Sequence, residues 1–139
     1  MFLYTLQASA GAAELAGLWQ EYSDDTGALE ALIRIEKLSD NSYAGKIEKI
    51  LPESTENSGL TCKGCPGNFR NKPLLGLRIL SGLKRKDGLN FTGGEILDPD
   101  DGKIYQCNIR LSKDGSTIEV TGYLGFNWIG HSEIWKKSR

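Results

Sequence analysis

The sequence predicts an all-β protein, a small up-and-down antiparallel β-barrel of about eight to nine short strands. The first observation is that segments of alternating apolar and polar residues recur along the whole chain, as expected for strands with one face on a core. The second is that polar turns containing glycine separate the later segments at nearly even intervals, at residues 86–88, 98–102 and 113–115. Such turns suit tight chain reversals. Closure of the resulting meander removes the sheet edges that it would otherwise expose.

Length and composition predict one soluble domain. A chain of 139 residues is long enough for a core but too short for two ordinary domains. The hydrophobic fraction of 39% and the charged fraction of 25% are typical of globular rather than disordered proteins. With a formal net charge of −1, no general attraction to nucleic acid or anionic lipid is expected. No segment suits a membrane-spanning helix, so we expect a single barrel over residues 14–139.

Residues 1–13 carry the prediction of cellular location. Residues 1–6 are apolar, and residues 8–10 and 10–12 fit the small-x-small pattern of a signal-peptidase site. The basic region that begins a signal peptide is missing, and the apolar run is short. We interpret residues 1–13 as the remnant of a secretory signal or a flexible N-terminus, which predicts a periplasmic or secreted protein. The alternative is an Ala-rich helical turn that leads into the fold.

Each predicted strand follows from local alternation and from the turns on either side of it. In the second segment, Ile33 and Ile35 share one face, with Arg34 and Glu36 on the other. Gly45, inside the third segment, is a candidate bulge. The predicted strands are residues 17–22, 31–37, 43–51, 74–80, 89–97, 103–111, 116–125 and 131–137.

Residues 52–73 interrupt this pattern with a polar, Gly-rich loop that contains Cys62 and Cys65. Loops of this length are usually functional or covalently constrained. In an oxidising compartment we expect a Cys62–Cys65 disulfide. The alternatives are pairing with Cys107, a zinc site completed by Cys107 and His131, or redox chemistry. A redox pair would lack the helix N-terminus that activates thiols of the thioredoxin type.

No catalytic, metal or cofactor site is predicted. Counted from Asp98, an EF-hand loop would need glycine at its sixth position and a carboxylate at its twelfth, but Gly102 is fifth and Ile109 is twelfth. His131, the single histidine, has no nucleophile or carboxylate partner at a recognisable spacing. We therefore expect a protein that is not an enzyme.

The barrel interior is the candidate binding site. A small barrel is either filled by its own side chains or left open for one ligand, and strand number does not decide between them. An apolar cavity with a few polar groups would take a small hydrophobic or amphipathic molecule. Arg78 alternates with apolar neighbours, which favours solvent exposure, whereas an inward Arg78 would indicate a carboxylate ligand. The candidate lining residues are Tyr105, Tyr123, Phe126, Trp128, Phe91 and Arg78.

Gly17-Leu18-Trp19 is similar to the Gly-x-Trp signature of lipocalins and other calycins. In those barrels the Trp closes one end, and a basic residue from the last strand lies across it. The resemblance implies that Trp19 closes this barrel. It also implies that Trp135-Lys136-Lys137, with Arg139 beyond, supplies the basic residue, and Lys136 and Arg139 are taken as the closure candidates.

A larger set of segments resembles the small secreted bacterial family called domain of unknown function 2147. The resemblance covers about residues 17–137 and implies a calycin-like barrel in the periplasm or secreted space, with no established activity. Family members often carry Arg where His131 stands, so a role that needs a permanent positive charge there is not implied. The segments are residues 62–67, 72–77, 94–105 and 122–126, with the terminal Trp135.

These observations predict a secreted or periplasmic barrel that binds a small, partly apolar ligand by desolvation and one or two polar anchors. One alternative is an envelope protein–protein interaction module with a filled core, which acts through residues 52–73. A thiol redox protein is the third hypothesis.

Overall fold

The computed structural model describes residues 13–124 and 130–139, and these residues form a closed antiparallel barrel. Each strand pairs with the next one along the chain, and the last strand pairs with the first, so the predicted fold class is confirmed. The strands are β1 (Gly17–Tyr22), β2 (Leu29–Lys37), β3 (Tyr43–Ile50), β4 (Arg78–Arg85), β5 (Asn90–Asp98), β6 (Lys103–Leu111), β7 (Thr117–Tyr123) and β8 (His131–Lys137).

The long β3–β4 loop contains a short helix, α1 (Thr55–Ser58), and a 3-10 turn at Gly67–Phe69. Within the described ranges, no helix has the length and apolarity needed to cross a membrane. Residues 1–12, which make up nearly all of the predicted signal remnant, lie outside the described residues.

The period-two alternation of the strands produces the core. Ile33 and Ile35 of β2 are fully buried as predicted, whereas Arg34 between them forms an ion pair with Glu48 on the outer face. Long apolar side chains from opposite walls meet inside the barrel and fill most of it. The largest fully buried side chains are Trp19, Trp135, Tyr43, Phe91, Leu15, Ile33, Ile35, Leu80, Leu83, Ile109, Leu111 and Ile118.

Strand β4 differs from its prediction, because it runs from Arg78 to Arg85 rather than over residues 74–80. Residues 74–77 still belong to the β3–β4 loop, where the Leu77 N–H donates to the Leu74 carbonyl at 3.0 Å. Later in the strand, Leu80 and Leu83 are both fully buried although they are three residues apart. Gly82, with φ of 74°, lies between them and interrupts the alternation, as a bulge does.

The predicted bulge at Gly45 is confirmed, because the pairing of β3 with β4 shifts register on both sides of it. A Cβ atom at this position would lie 3.2 Å from Leu80 Cβ. The absent side chain therefore lets the two strands approach closely.

One end of the barrel, here called the closed end, is formed by residues 13–16 and by the turns at 38–42, 86–89 and 112–116. Trp19 is fully buried there, and its Nε1 donates to the Leu15 carbonyl at 2.9 Å. Lys137 Nζ lies 4.5 Å from the centre of the Trp19 ring and donates to the carbonyls of Glu14 and Ala16, each at 3.3 Å. Trp19 and Lys137 therefore pack against each other at the closed end.

Within the predicted segment the basic residue across Trp19 is Lys137, whereas the candidates Lys136 and Arg139 do not contact it. Because Trp135 points inward, Lys137 shares its face, whereas Lys136 points outward over the Tyr22 ring at 5.5 Å. Arg139 is exposed beyond the end of β8. Gly17 belongs to the same arrangement, since a Cβ atom there would lie 2.7 Å from Lys137 Nζ.

The opposite end, here called the mouth, is formed among the described residues by the β1–β2 turn, the β3–β4 loop and the β5–β6 turn. The β3–β4 loop packs tightly against the β5–β6 turn, since a Cβ atom on Gly102 would lie 2.0 Å from the Gly64 carbonyl oxygen. Cys62 and Cys65 form the predicted disulfide, and Cys107 is a free, buried thiol. The loop is therefore packed against the end of the barrel.

Candidate functional site

A cavity of about 160 Å³ lies at the mouth, between the inner faces of β5, β6, β7 and β8. Below it the barrel is filled by buried apolar side chains, so the interior is packed toward the closed end and open toward the mouth. The lining residues are Ile96, Leu97, Asp98, Tyr105, Val120, Gly122, His131 and Glu133.

The register of β7 and β8 explains why the cavity begins where it does. At the deepest level, Ile118 pairs with Trp135, and both side chains are buried. Two residues nearer the mouth on each strand, Val120 pairs with Glu133. The next inward-facing pair toward the mouth is Gly122 with His131. The inner wall thus changes from apolar to mixed and then to polar within three levels.

Gly122 makes room for the cavity. A Cβ atom at this position would lie 3.3 Å from Tyr105 Cβ and 3.7 Å from Ile96 Cγ2, so even a methyl group would enter the space between these side chains. The phenol of Tyr105 donates to the Asp101 carboxylate, which raises the pKa of Tyr105 to about 12. Its hydroxyl is therefore engaged, and the ring supplies apolar surface.

The polar rim of the cavity centres on Glu133. Its Oε1 accepts from Trp135 Nε1 at 2.8 Å, and its Oε2 lies 3.8 Å from His131 Nε2. Burial raises the pKa of Glu133, and the nearby Asp24 and Asp98 add to the rise, while the Trp135 hydrogen bond and His131 oppose it. The carboxyl is thus held by one side chain and leaves its second oxygen toward the mouth.

Glu21 of β1 contributes a partly buried carboxyl to the same region. It follows Trp19 by two residues and therefore points inward. Burial is the largest cause that raises its pKa to about 9, and the carboxyls of Glu30, Glu133 and Asp100 raise it further. Asp100 also has a raised pKa, first from burial and then from neighbouring aspartates. The mouth is therefore an acidic environment.

The pairing between β1 and β8 ends near these carboxyls, on the side of the closed end. The two strands pair only at Trp19–Lys137 and Gln20–Lys136, whereas β7 and β8 pair at six positions. Beyond Gln20, toward the mouth, the ladder holds no further pair. Glu21 and Glu133 therefore stand on opposite sides of a gap in the sheet.

Three side chains at the rim have the donor types of a metal site. The nearest donor atoms of Asp24, His131 and Glu133 all lie within 4.8 Å of one another. However, the side chains of His131 and Asp24 are 68% and 59% exposed, and His131 Nε2 lies 3.0 Å from Asp24 Oδ2. That direct contact accounts for their arrangement without an ion.

The predicted lining residues are only partly brought together. Tyr105 lines the cavity. Phe91 is instead part of the filled core, edge to face with Tyr43 at 5.1 Å. Tyr123 lies on the opposite face of β7 from Gly122, and Arg78 is exposed on the outer surface. Phe126 and Trp128 lie outside the described residues.

Sequence reasoning missed the carboxyls of the mouth, although a signal for them was present. Glu21 follows Trp19 by two residues, and Glu133 precedes Trp135 by two. Since both tryptophans point into the barrel, period-two alternation places both carboxyls on the inner face.

Comparisons with known proteins agree with this geometry. A family model described as "Uncharacterized protein conserved in bacteria (DUF2147)" matches residues 17–137. No functionally curated protein matches the chain. Among solved structures, the chain is similar to one described as "Protein HP1028 from the human pathogen Helicobacter pylori belongs to the lipocalin family", with a TM-score of 0.79 and 20% identity, over 92% of this chain and 85% of that one. The chain thus shares a lipocalin-like fold and belongs to the bacterial DUF2147 family.

Proposed function

We propose that this protein binds a small, partly apolar molecule at the mouth of the barrel. The observation that carries the proposal is the cavity of about 160 Å³ above a filled core. An apolar cavity of about 150 Å³ is large enough to take up benzene, so this one suits a ring-sized group or a short chain. Ile96, Val120 and the Tyr105 ring form its apolar surface, and the carboxyls at its rim are the polar anchors.

The fold supports this function, because barrels of this size use an open interior to hold one small ligand. Binding would come mainly from removing the apolar part of the ligand from water, at about 25 cal/mol per Å² of buried apolar surface. The carboxyls would then fix the orientation of the ligand.

We further propose that the protein works in the periplasm or is secreted. The Cys62–Cys65 disulfide supports this location, since disulfides persist mainly in oxidising compartments.

The two other hypotheses receive less support from the structure. The loop of residues 52–73, on which an interaction module would depend, has its two cysteines buried in the core cluster and packs against the β5–β6 turn. A thiol redox function needs accessible sulfur, whereas Cys62 and Cys65 are 1% and 2% exposed. Both features favour a structural role for the loop.

A variant that fills the cavity tests the proposal. Gly122→Val would place a branched side chain against Tyr105 and Ile96, and we expect it to abolish binding of ring-sized probes detected by ligand-observed NMR. Thr121→Val is the matched control, because Thr121 lies on the outer face, with its hydroxyl 2.7 Å from that of Ser132. Circular dichroism would verify that both variants fold. Undiminished probe binding by folded Gly122→Val protein would contradict the proposal.

A further inference from the structure

We propose that the ligand of the mouth cavity is a small organic cation, an amine that carries a ring-sized or short-chain apolar group. This inference rests on the proposed function and specifies the chemical class of the ligand. The geometry points to an ammonium held near Glu133 and Asp98, with the apolar group against Ile96 and Val120.

The charges that surround the cavity carry the inference. Asp98 and Glu133 line it directly. Asp24 and Asp100 belong to turns at the same end of the barrel, and Glu21 of β1, whose pKa is raised to about 9, adds a negative charge only where it ionises. Low-dielectric walls around charges of one sign focus their field into the cleft. A ligand that enters this cavity therefore meets a negative potential next to an apolar surface.

Among the eight side chains that line the cavity, His131 is the one that can carry a positive charge. It already contacts Asp24 at 3.0 Å, and its side chain is largely exposed to water. An anionic ligand would thus meet several carboxylates and one shared imidazole. A neutral apolar ligand would cover the carboxylates without providing donors, which leaves buried acceptors poorly satisfied.

An ammonium group matches both the negative charge of this site and its need for hydrogen-bond donors. It offers three donors, and hydrogen bonds between charged partners are shorter and stronger than neutral ones. Glu133 is prepared to accept one of them, because Trp135 Nε1 holds its Oε1 and leaves Oε2 available. A cation here would also offset the charge of Glu133, which acts on the nearby Glu21 across the junction of β1 and β8.

Proton release is a second consequence of this arrangement. The groups that face Glu21 are all acids: Glu30 from β2, Glu133 from β8 and Asp100 from the β5–β6 turn. His131 faces Glu133 and opposes the rise in its pKa. A bound cation favours the ionised form of each carboxyl and lowers its pKa. Binding would therefore release protons, and affinity for an amine would increase as pH rises from about 5 toward 9.

The experiment compares three probes of similar shape: benzylamine, benzyl alcohol and benzoate. We expect benzylamine to bind the wild-type chain at least about tenfold more tightly than the other two, because tenfold corresponds to the 1.4 kcal/mol that a single partly buried charged contact readily supplies. Calorimetry in two buffers of different ionisation enthalpy should show proton release with benzylamine. Benzyl alcohol should show none.

Glu133→Gln should reduce the ratio of benzylamine affinity to benzyl alcohol affinity toward one. Glu119→Gln is the matched control, since Glu119 is on the outer face of β7, and it should keep the ratio of the wild-type chain. If benzyl alcohol or benzoate binds as tightly as benzylamine, or if Glu133→Gln keeps the preference, the cation inference is wrong while the binding function stands. If none of the three probes binds, or Gly122→Val binds them unchanged, the proposed function itself fails.

Discussion

Glu21→Gln, which replaces a partly buried carboxyl by an amide, should stabilise the folded barrel, and the stabilisation should grow as pH rises. The pKa of Glu21 is raised from 4.5 to about 9, first by burial and then by Glu30, Glu133 and Asp100. Between these two values the folded state keeps a proton that the unfolded chain releases. The contribution of protonated Glu21 to folding stability is therefore fully retained below pH 4.5 and is lost progressively as pH rises to about 9.

The size of the effect follows from the shift. Each pH unit in this window corresponds to about 1.4 kcal/mol, and pH 7 lies about 2.5 units above the ordinary value of 4.5. At pH 7 the folded state of the wild-type chain is thus destabilised by up to about 3 kcal/mol through this group. Glu21→Gln keeps the shape of the protonated acid and does not titrate, so it should recover this free energy.

Urea denaturation at pH 4.5, 5.5, 7 and 8.5, followed by tryptophan fluorescence, measures the effect. The stability difference between Glu21→Gln and wild type should be near zero at pH 4.5 and should grow with each step. Glu119→Gln, an exposed carboxyl on the outer face, should show no such growth. A constant difference across this pH range, or a less stable Glu21→Gln protein at pH 8.5, would refute the reasoning. Because the Glu30 carboxyl helps to raise the pKa of Glu21, Glu30→Gln should recover part of the same free energy rather than an independent amount.

Three further predictions concern the closed end, the loop and the free thiol. Lys137→Met should lower the free energy of unfolding by about 2 kcal/mol, because it removes a partly buried cation–π contact with Trp19 and two charged hydrogen bonds. Gly102→Ala should cost about 1–3 kcal/mol, since its φ is 71° and a Cβ atom would collide with the Gly64 carbonyl. The Cys107 thiol should stay unreactive toward Ellman's reagent in native buffer, because burial raises its pKa to about 12.

Each of these has a control in the same chain. Lys136→Met changes an exposed lysine on the same strand and should alter stability by less than about 0.5 kcal/mol. Gly88→Ala adds a methyl group that meets nothing within 4 Å, so Gly102→Ala should be clearly the more costly in thermal denaturation. Cys107 should react promptly once the protein is unfolded. An equal loss of stability in Lys137→Met and Lys136→Met, or in Gly102→Ala and Gly88→Ala, would contradict the corresponding argument. Rapid labelling of Cys107 in the native protein would contradict the third.

The sequence was sufficient for the fold, because the barrel is built from local signals. Alternation identified all eight strands, and the turns at residues 86–88, 98–102 and 113–115 separated them correctly. The start of β4 was missed because residues 74–77 are as apolar as a strand. Their backbone bonds instead to the loop at Leu60 and to Ile47 of β3, outside the regular ladder of β4, which no local pattern reveals.

The candidate site was harder to predict, for two physical reasons. First, aromatic side chains indicate burial but not depth: Phe91 fills the core, whereas Tyr105 reaches the cavity. Second, the acidic mouth joins residues from the two ends of the chain, so its existence depends on how β1 and β8 meet. Glu21 and Glu133 could be assigned to the inner face from sequence, but only the closed register brings β8 beside β1, so that Glu133 is near enough to raise the pKa of Glu21.

The short ladder between the first and last strands has a consequence for assembly. Two residue pairs and a hydrogen bond from the Ser138 N–H to the Leu18 carbonyl join β1 to β8, whereas every other neighbouring couple of strands pairs at three or more positions. The barrel will therefore open first between β1 and β8, and the backbone amide hydrogens at this junction will exchange with deuterium soonest. Two molecules opened in this way expose unpaired strand edges, and these edges can pair with each other. Strand exchange between copies at high concentration should consequently begin with β1.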